Sequence, residues 1–450
     1  MSDPLRVAVV GSGPAGFYAA DALLKSDDPR VEVDLIDRLP TPWGLVRLGV
    51  APDHENIKAV SRAFERIAQR PGFRFFGGVE VGRTVLHDEL TELYDAVLYS
   101  VGAQTDRRMG IPGEDLPGSW PATAFVAWYN GHPDFQELGI DLAHERIVIV
   151  GNGNVAIDVA RMLALTAAEL ASTDTVDAVA DAIVGSPLRE IVLLGRRGPV
   201  QAAFTPPELQ ELGALAGADV AVDPSELVLD AASARALEED RERARRNVEL
   251  LREYAARPPA GKPRTIRLRF LASPVAILGN DRVDAVEVVR NELVEDGGRI
   301  VARPTGEREV IPCGAVFRSV GYQGVPLPGV PFDAARAVIP HESGRVLGTA
   351  RTYCAGWIKR GPSGVIGTNK KDATETVEEL LADARAGKLG SGGAPADSLE
   401  RLLESKGADF VEYDGWQAID AAERAAGEPL GRPRVKVVRW DELLDTGRRS

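Results

Sequence analysis

Cysteine is nearly absent: Cys313 and Cys354 are the only two in 450 residues, and neither belongs to a C-x-x-C pair or a Cys/His cluster. That excludes a dithiol redox centre, a thiolate zinc site and a protein-ligated iron–sulfur cluster, and no metal is expected. Both thiols are expected to be buried small hydrophobes. Any electron chemistry must then run on a bound organic cofactor. Long apolar runs are also missing, so no segment is predicted to span a bilayer. The first residues enter a strand pattern almost at once, without the basic stretch and apolar core of a signal peptide, which gives the expectation of a cytoplasmic protein. Basic charge is in deficit: 53 Lys and Arg against 67 Asp and Glu leave a formal net charge of -14. A nucleic-acid binder, whose affinity comes from neutralising phosphates, is therefore not expected.

What remains is a globular composition, 44% hydrophobic and 27% charged, in a chain long enough for two or three domains. A Val-rich run, Arg6 to Val10, leads into Gly11-Ser12-Gly13-Pro14-Ala15-Gly16 and a helical stretch from Phe17 to Lys25. A second strand pattern, Val31 to Ile36, ends on Asp37. In G-x-G-x-x-G the first glycine turns the chain, the second lets a pyrophosphate approach the backbone, and the third lets helix and strand pack closely. The helix N-terminus offers free N–H groups to the phosphates, and Asp37 can accept hydrogen bonds from a ribose diol. Strand, glycines, helix, strand and terminal acid in register make this a dinucleotide site.

The pattern returns in mid-chain. Arg146 to Val150 precedes Gly151-Asn152-Gly153-Asn154-Val155-Ala156, a helix from Val155 to about Ala168, and a strand from Glu190 to Leu194 that ends at Gly195-Arg196-Arg197. Ala156 in the third position still permits close packing, and two guanidiniums at the strand end suit a 2'-phosphate where a carboxylate would repel it. The first fold is thus expected to hold FAD and the second NADP(H). Two such beginnings, far apart for any solenoid period, predict two dinucleotide folds.

Elsewhere, residues Ala171 to Leu188 read as a helical insertion and Ser233 to Ala256 as a charged helix. Strands are predicted from Thr265 to Val301 with a Gly297-Gly298 turn. Tyr353 to Trp357 reads as a strand and Gly364 to Leu381 as a loop entering a helix. Gly387 to Pro395 reads as a linker, and the tail as helices with one Val-rich strand, Val435 to Val438.

Pro40-Thr41-Pro42-Trp43-Gly44-Leu45-Val46-Arg47, followed by Val50-Ala51-Pro52-Asp53-His54, closely resembles the segment after the second strand in ferredoxin–NADP reductases of the adrenodoxin-reductase type. The resemblance continues in family order through Gly151 to Val155, Gly195 to Pro199, Gln201 to Thr205, Arg318 to Tyr322 and Gly356 to Asn369, covering about Leu5 to Leu381. It implies an α/β fold of two interleaved Rossmann-like dinucleotide-binding domains, FAD and NADP, in a glutathione-reductase-like architecture. The domains are expected as 1–104 and 324–386 for FAD and 105–323 for NADP, with 387–450 a linker and extension. It further implies FAD contacts from Gly11, Gly13, Pro14, Ala15, Gly16, Asp37, Leu45, Val81, Trp357, Gly364, Val365 and Ile366. The implied NADP contacts are Arg107, Asn152, Gly153, Asn154, Val155, Arg196, Arg197, Glu208 and the Gly364 backbone. His54 and Glu211 are the implied polar pair near flavin and nicotinamide. Hydride transfer needs no acid or base, so they are expected to position the ring or tune the flavin.

The implied activity is hydride transfer from NADPH to FAD, then single-electron transfer to a ferredoxin-type iron–sulfur protein, with a cytochrome P450 as one onward acceptor. Because ferredoxins are commonly acidic, a basic docking face is expected among Arg235, Arg241, Arg243, Arg245, Arg246, Arg264, Arg267 and Arg269. The competing readings are an NADPH-dependent flavin monooxygenase or oxidase and a non-catalytic NADPH-binding redox sensor. The Pro40 to His54 block belongs to the reductase pattern, and no fingerprint position is damaged.

Overall fold

The computed structural model describes residues 3–239, 242–389 and 394–448. Its contacts divide the chain into two units: Met1–Thr105, Asn130–Pro133 and Tyr322–Ser450 form one, and Asp106–Tyr129 with Asp134–Gly321 the other. The crossings expected at 104/105 and 323/324, and a tail expected to stand apart, differ from this division. The structure crosses after Thr105 and before Tyr322, and the tail joins the first unit. Val411, Trp416, Ile419 and Leu443 are buried in that unit's core against Phe17, Trp43 and Phe75.

In the first unit the buried strand Leu5–Val10 pairs in parallel with Val31–Asp37 on one side and Ala96–Tyr99 on the other. Phe73–Gly77 and Thr352–Cys354 extend the parallel sheet outward, and two short antiparallel strands finish one edge. Strand order reverses at Leu5–Val10, so the crevice beyond its carboxyl end, where Gly11 to Gly16 lie, is the switch point at which such sheets bind ligands. The strands read as continuous apolar runs because both faces are covered.

The second unit has an all-parallel sheet in the order Ser119–Pro121, Ala315–Arg318, Arg146–Val150, Glu190–Leu194, Arg264–Arg269, Ala218–Val222. A separate antiparallel meander joins Ala272–Leu278, Ala285–Asp296 and Arg299–Pro312. Gly297 and Gly298 both have positive φ, 53° and 75°, giving the two-residue turn that suits the twist of a hairpin.

Several predicted elements differ. Ser233 to Ala256 is two helices, Ala231–Glu239 and Arg243–Ala256, and Arg241 lies outside the described residues. Only Thr352–Cys354 of the stretch up to Trp357 is strand, because Gly356 at φ 76° turns the chain into the helix Trp357–Arg360. Val435 to Val438 is not a strand. Its backbone pairs with Glu423 instead: Val435 N–H donates to the Glu423 carbonyl and Val437 N–H to the Glu423 carboxylate.

Both cysteines are free and buried, and burial pushes each thiol up to about 12, so they stay protonated and inert as expected. Among the described residues no helix is long and apolar enough to cross a membrane.

Asp106, where the chain enters the second unit, is a source of pH dependence. Burial raises its carboxyl from 3.8 to about 6, against the opposing pull of a Thr123 hydrogen bond and the Arg318 charge. Folding therefore favours the neutral form: the stabilisation is full below the ordinary value near 4 and is lost as pH rises through about 6. Asp106→Asn is expected to match the parent at pH 4 and exceed its stability at pH 8 by about 1–3 kcal/mol. Thermal unfolding across pH 4–8 reads this directly; parallel curves for the two proteins would refute it.

Candidate dinucleotide sites

The first glycine loop is shaped by what a side chain would meet. A Cβ on Gly11 (φ 102°) would lie 2.6 Å from the Ser100 carbonyl oxygen, and one on Gly16 1.9 Å from the Gly11 carbonyl oxygen. Both glycines are therefore fixed by packing, as a tight turn and a close helix–strand approach require. A Cβ on Gly13 would meet nothing within 4 Å. The open side of the loop is thus at the glycine where a pyrophosphate must reach the backbone. Pro14 begins the helix Pro14–Leu23, where its missing N–H costs nothing, and Ala15 is buried behind it. Asp37, at the strand end, accepts from Ser12 N–H (2.7 Å), Ser12 Oγ (2.6 Å) and Leu39 N–H (2.9 Å). These bonds aim its carboxylate across the mouth of the loop.

The Pro40 to Arg47 segment folds onto the same loop. Trp43 has φ 84°, an uncommon conformation for a large side chain, and its N–H donates to the Ser12 carbonyl at 3.0 Å. A Cβ on Gly44 would sit 3.0 Å from Gly13 Cα. Leu45 opens the short helix Leu45–Leu48 and is 38% exposed. The distant return segment is there too, since a Cβ on Gly356 would lie 2.7 Å from Ala15 Cβ. Trp357 packs against Tyr322 at 5.2 Å, and Gly364 (φ 82°) and Val365 lead into the helix that Ile366 begins. The indole N–H groups of Trp43 and Trp357 are buried without a partner. Val81 is buried in the core with Ile36 and Phe76, and His54 precedes the turn Glu55–Lys58. An open glycine, an aimed carboxylate, two spare donors and a second glycine-started helix fit an FAD.

What the sequence did not disclose is the support behind Trp43. Trp416 in the tail stacks edge-on against it at 4.9 Å, and the Arg47 guanidinium lies 5.1 Å above the Trp416 ring. Arg47 also forms a bidentate pair with Glu423, at 2.8 and 2.5 Å, with both side chains under 5% exposed.

The second loop repeats the logic. A Cβ on Gly151 (φ 134°) would lie 2.1 Å from the Ser319 carbonyl oxygen, Gly153 has only Ala203 Cβ at 4.0 Å, and Ala156 is fully buried. Asn154 and Val155 start the helix Asn154–Ala164. The Asn154 carboxamide oxygen accepts from Thr205 N–H at 2.8 Å, and the Asn152 carbonyl takes the N–H groups of Ala203 and Phe204 at 3.1 Å. Those bonds tie the loop to the segment that runs from the Arg196–Arg197 turn into the helix Pro206–Ala214. Burial and the neighbouring Arg196 charge lower the Arg197 pKa, so an anion there relieves repulsion as well as binding. Arg107 is exposed, its N–H donating to the Gly321 carbonyl at 2.9 Å. Glu208 and Glu211 lie on the helix Pro206–Ala214, and Glu211 approaches the buried Arg161 guanidinium at 3.6 Å. Asp158, which pairs with Arg161 at 2.5 Å, is held well above the usual carboxylate range by burial and by the charges of Glu208 and Glu211.

The expected basic face is largely neutralised. Arg267 pairs with Glu190 (2.7 Å), Arg269 with Glu226 (2.7 Å), Arg246 with Glu249 (3.2 Å) and Arg235 with Glu295 (3.0 Å). Arg264 spends its guanidinium on the carbonyls of Leu163 and Ile183. Among the described residues of the set, Arg243 and Arg245 remain, exposed on one helix.

Two dinucleotide-shaped folds without a redox dithiol define a pyridine-nucleotide oxidoreductase. The family model for pyridine nucleotide-disulphide oxidoreductases matches residues 5–193. NADPH-ferredoxin reductase FprA of Mycobacterium tuberculosis is 49% identical over 99% of both chains. The mitochondrial NADPH:adrenodoxin oxidoreductase of Arabidopsis thaliana is 40% identical over 98% of this chain and 95% of its own. The solved structure of M. tuberculosis FprA in complex with NADPH superimposes with a TM-score of 0.94, covering 99% of this chain and all of that one. The chain belongs to the ferredoxin–NADP reductase family of the adrenodoxin-reductase type, a family of FAD- and NADP(H)-dependent oxidoreductases.

Proposed function

We propose that this chain is an NADPH–ferredoxin reductase, and the observation that carries the reading is the pairing of two open glycine cradles with different strand-end chemistry. Asp37, an acceptor, closes the first, and Arg196 with Arg197 closes the second. FAD, when bound, takes two electrons as hydride and releases them singly to an iron–sulfur carrier of the ferredoxin type. The N–H groups of Gly13, Ala15 and Gly16 would hold its pyrophosphate and Asp37 would orient its ribose. The N–H groups that start the helix at Ile366 favour negative charge at the ring edge. Asn152 to Val155 hold the NADP pyrophosphate, and Arg196 and Arg197 grip the 2'-phosphate that separates NADPH from NADH.

His54 and Glu211 are positioning residues in this reading, since no proton moves with the hydride. His54→Gln and Glu211→Gln are each expected to slow flavin reduction by less than about tenfold and to leave cofactor content unchanged. Single-turnover flavin bleaching checks both; a loss beyond about a thousandfold would mean that one of them moves a proton.

A cytoplasmic setting suits two free cysteines, and a cytochrome P450 is one acceptor downstream of the carrier. Steady-state cytochrome c reduction by NADPH tests the partner. Reduction that depends on added ferredoxin supports the reading. Equal rates with and without it, together with NADPH consumption coupled to an organic substrate, would favour a monooxygenase.

A further inference from the structure

In the first unit, the return segment from Gly356 to Ile366 closes over three charged side chains. Lys359 and Asp372 are 7% and 8% exposed, and Arg360 lies beside them. Asp372 is shared among three groups. Its Oδ1 lies 3.1 Å from Lys359 Nζ, and its Oδ2 lies 3.1 Å from Arg360 Nη1 and accepts the Gly356 N–H at 2.5 Å. Arg360 holds the far end of the segment, donating to the Ser363 carbonyl at 3.2 Å and to the Asn369 carboxamide oxygen at 2.7 Å. Lys359 Nζ donates to Thr376 Oγ1 at 2.9 Å, and that hydroxyl donates to the Cys354 carbonyl at 3.1 Å. The positive φ of Gly356 and the loop that follows are thus tied from behind to the helix Ile366–Arg385.

The charges in this group do not cancel. Two cations share one carboxylate, and among the described residues neither has a second carboxylate within ion-pair distance. His341, held below the usual imidazole range by burial and by the Lys359 charge, is neutral near pH 7. Cys354, whose thiol burial pushes up to about 12, is neutral as well. One net positive charge is therefore left in a largely buried place. Folding alone gains nothing from that excess, since a buried cation without a full partner is destabilising. A cofactor that becomes more negative on reduction would gain from it.

We propose that Asp372, Lys359 and Arg360 form a positioning unit that sets the reduction potential of the flavin. Asp372 fixes the Gly356 turn, and the net positive charge behind the turn favours the reduced, more negative ring. The inference rests on the reading that places the flavin against Trp357 and Gly364 to Ile366. It goes beyond that reading by giving opposite electrostatic roles to two residues, Asp372 and Lys359, that need not touch the cofactor.

The test is the midpoint potential of the FAD-loaded protein, measured by anaerobic titration against a reference dye for the parent and for Asp372→Asn, Lys359→Met and Lys359→Arg. Asn keeps an oxygen for the Gly356 N–H while losing the negative charge. Asp372→Asn is expected to favour the reduced flavin about tenfold, a rise of about 30 mV for a two-electron couple, and Lys359→Met to disfavour it by a similar factor. Lys359→Arg, which keeps the charge, should change the equilibrium less than about twofold. Opposite signs are the signature of charge, because loosened packing would move both variants the same way. Shifts of one sign in Asp372→Asn and Lys359→Met, or none in either, overturn the proposal while leaving the reductase reading intact, since NADPH still bleaches the bound flavin. Should Asp372→Asn not fold, the lysine pair decides: a lowered potential in Lys359→Met alone supports the proposal, and equal potentials in Lys359→Met and Lys359→Arg overturn it. A parent protein that binds no FAD fails the reductase reading instead.

Discussion

Replacing Glu423 with alanine is expected to destabilise the first unit by about 3–5 kcal/mol and to release much of its FAD, the usual cost of removing one partner of a buried ion pair. The Glu423 side chain is fully buried and serves four groups: both terminal nitrogens of Arg47, Arg434 at 3.1 Å and the Val437 N–H at 2.9 Å. Without it the Arg47 guanidinium, 4% exposed, has no carboxylate partner among the described residues. The consequence runs directly to the cofactor loop. Arg47 stands on the short helix after Trp43 and Gly44, Trp43 holds a positive φ and bonds to Ser12, and Gly44 lies against Gly13. A strained conformation persists only while its surroundings over-determine it, and here Trp416 and the Arg47–Glu423 pair supply that restraint. Glu423→Gln keeps the shape, but its amide nitrogen cannot accept, so only the two bonds to the remaining oxygen, from Arg47 and Val437, survive and less than half of the loss should return. Urea unfolding with flavin fluorescence separates the two effects. An alanine variant of parental stability and full FAD content would show that the tail is dispensable to the loop.

The second large effect concerns the choice between NADPH and NADH. Removing both guanidiniums, Arg196→Ala with Arg197→Ala, should lower kcat/KM for NADPH about 10²–10³-fold, since charge-assisted hydrogen bonds contribute about 1.5–3 kcal/mol each and tenfold is about 1.4 kcal/mol. The rate with NADH should change less than about twofold, because a free 2'-hydroxyl gains little from these cations. The two Arg side chains are expected to act together, so each single variant should show well under the full loss. Measuring kcat/KM for both nucleotides with the same preparation decides it; an equal fall for each would assign the pair to folding or to the pyrophosphate.

How much of this was legible beforehand depended on whether the relevant partners were close in sequence. Gly11 to Gly16 with Asp37, and Gly151 to Ala156 with Arg196 and Arg197, could be read because the strand–turn–helix unit sets its own geometry within about 50 residues. Asn291 gave no comparable signal. An Asn in a strand is ordinary until the sheet order brings the meander beside the strand-end turn, where its amide donates to the Arg196 carbonyl. The tail was opaque for a related reason. Trp416 and Glu423 sit 47 and 54 residues beyond Asn369, where the last motif ends, and only the fold reveals that a carboxylate near the C-terminus answers Arg47. Where polarity alone guided the reading, as in the basic docking face, it overcounted, since Glu190, Glu226 and Glu309 neutralise Arg267 and Arg269 from strands and loops distant in the chain.

Anaerobic stopped-flow absorbance of the FAD-loaded protein mixed with NADPH or with NADH tests the central claim most directly. Flavin bleaching that is fast with NADPH, much slower with NADH, and reversed on adding oxidised ferredoxin is the predicted result. A flavin that NADPH leaves oxidised, or one that is re-oxidised only by oxygen or a small organic substrate, would contradict it.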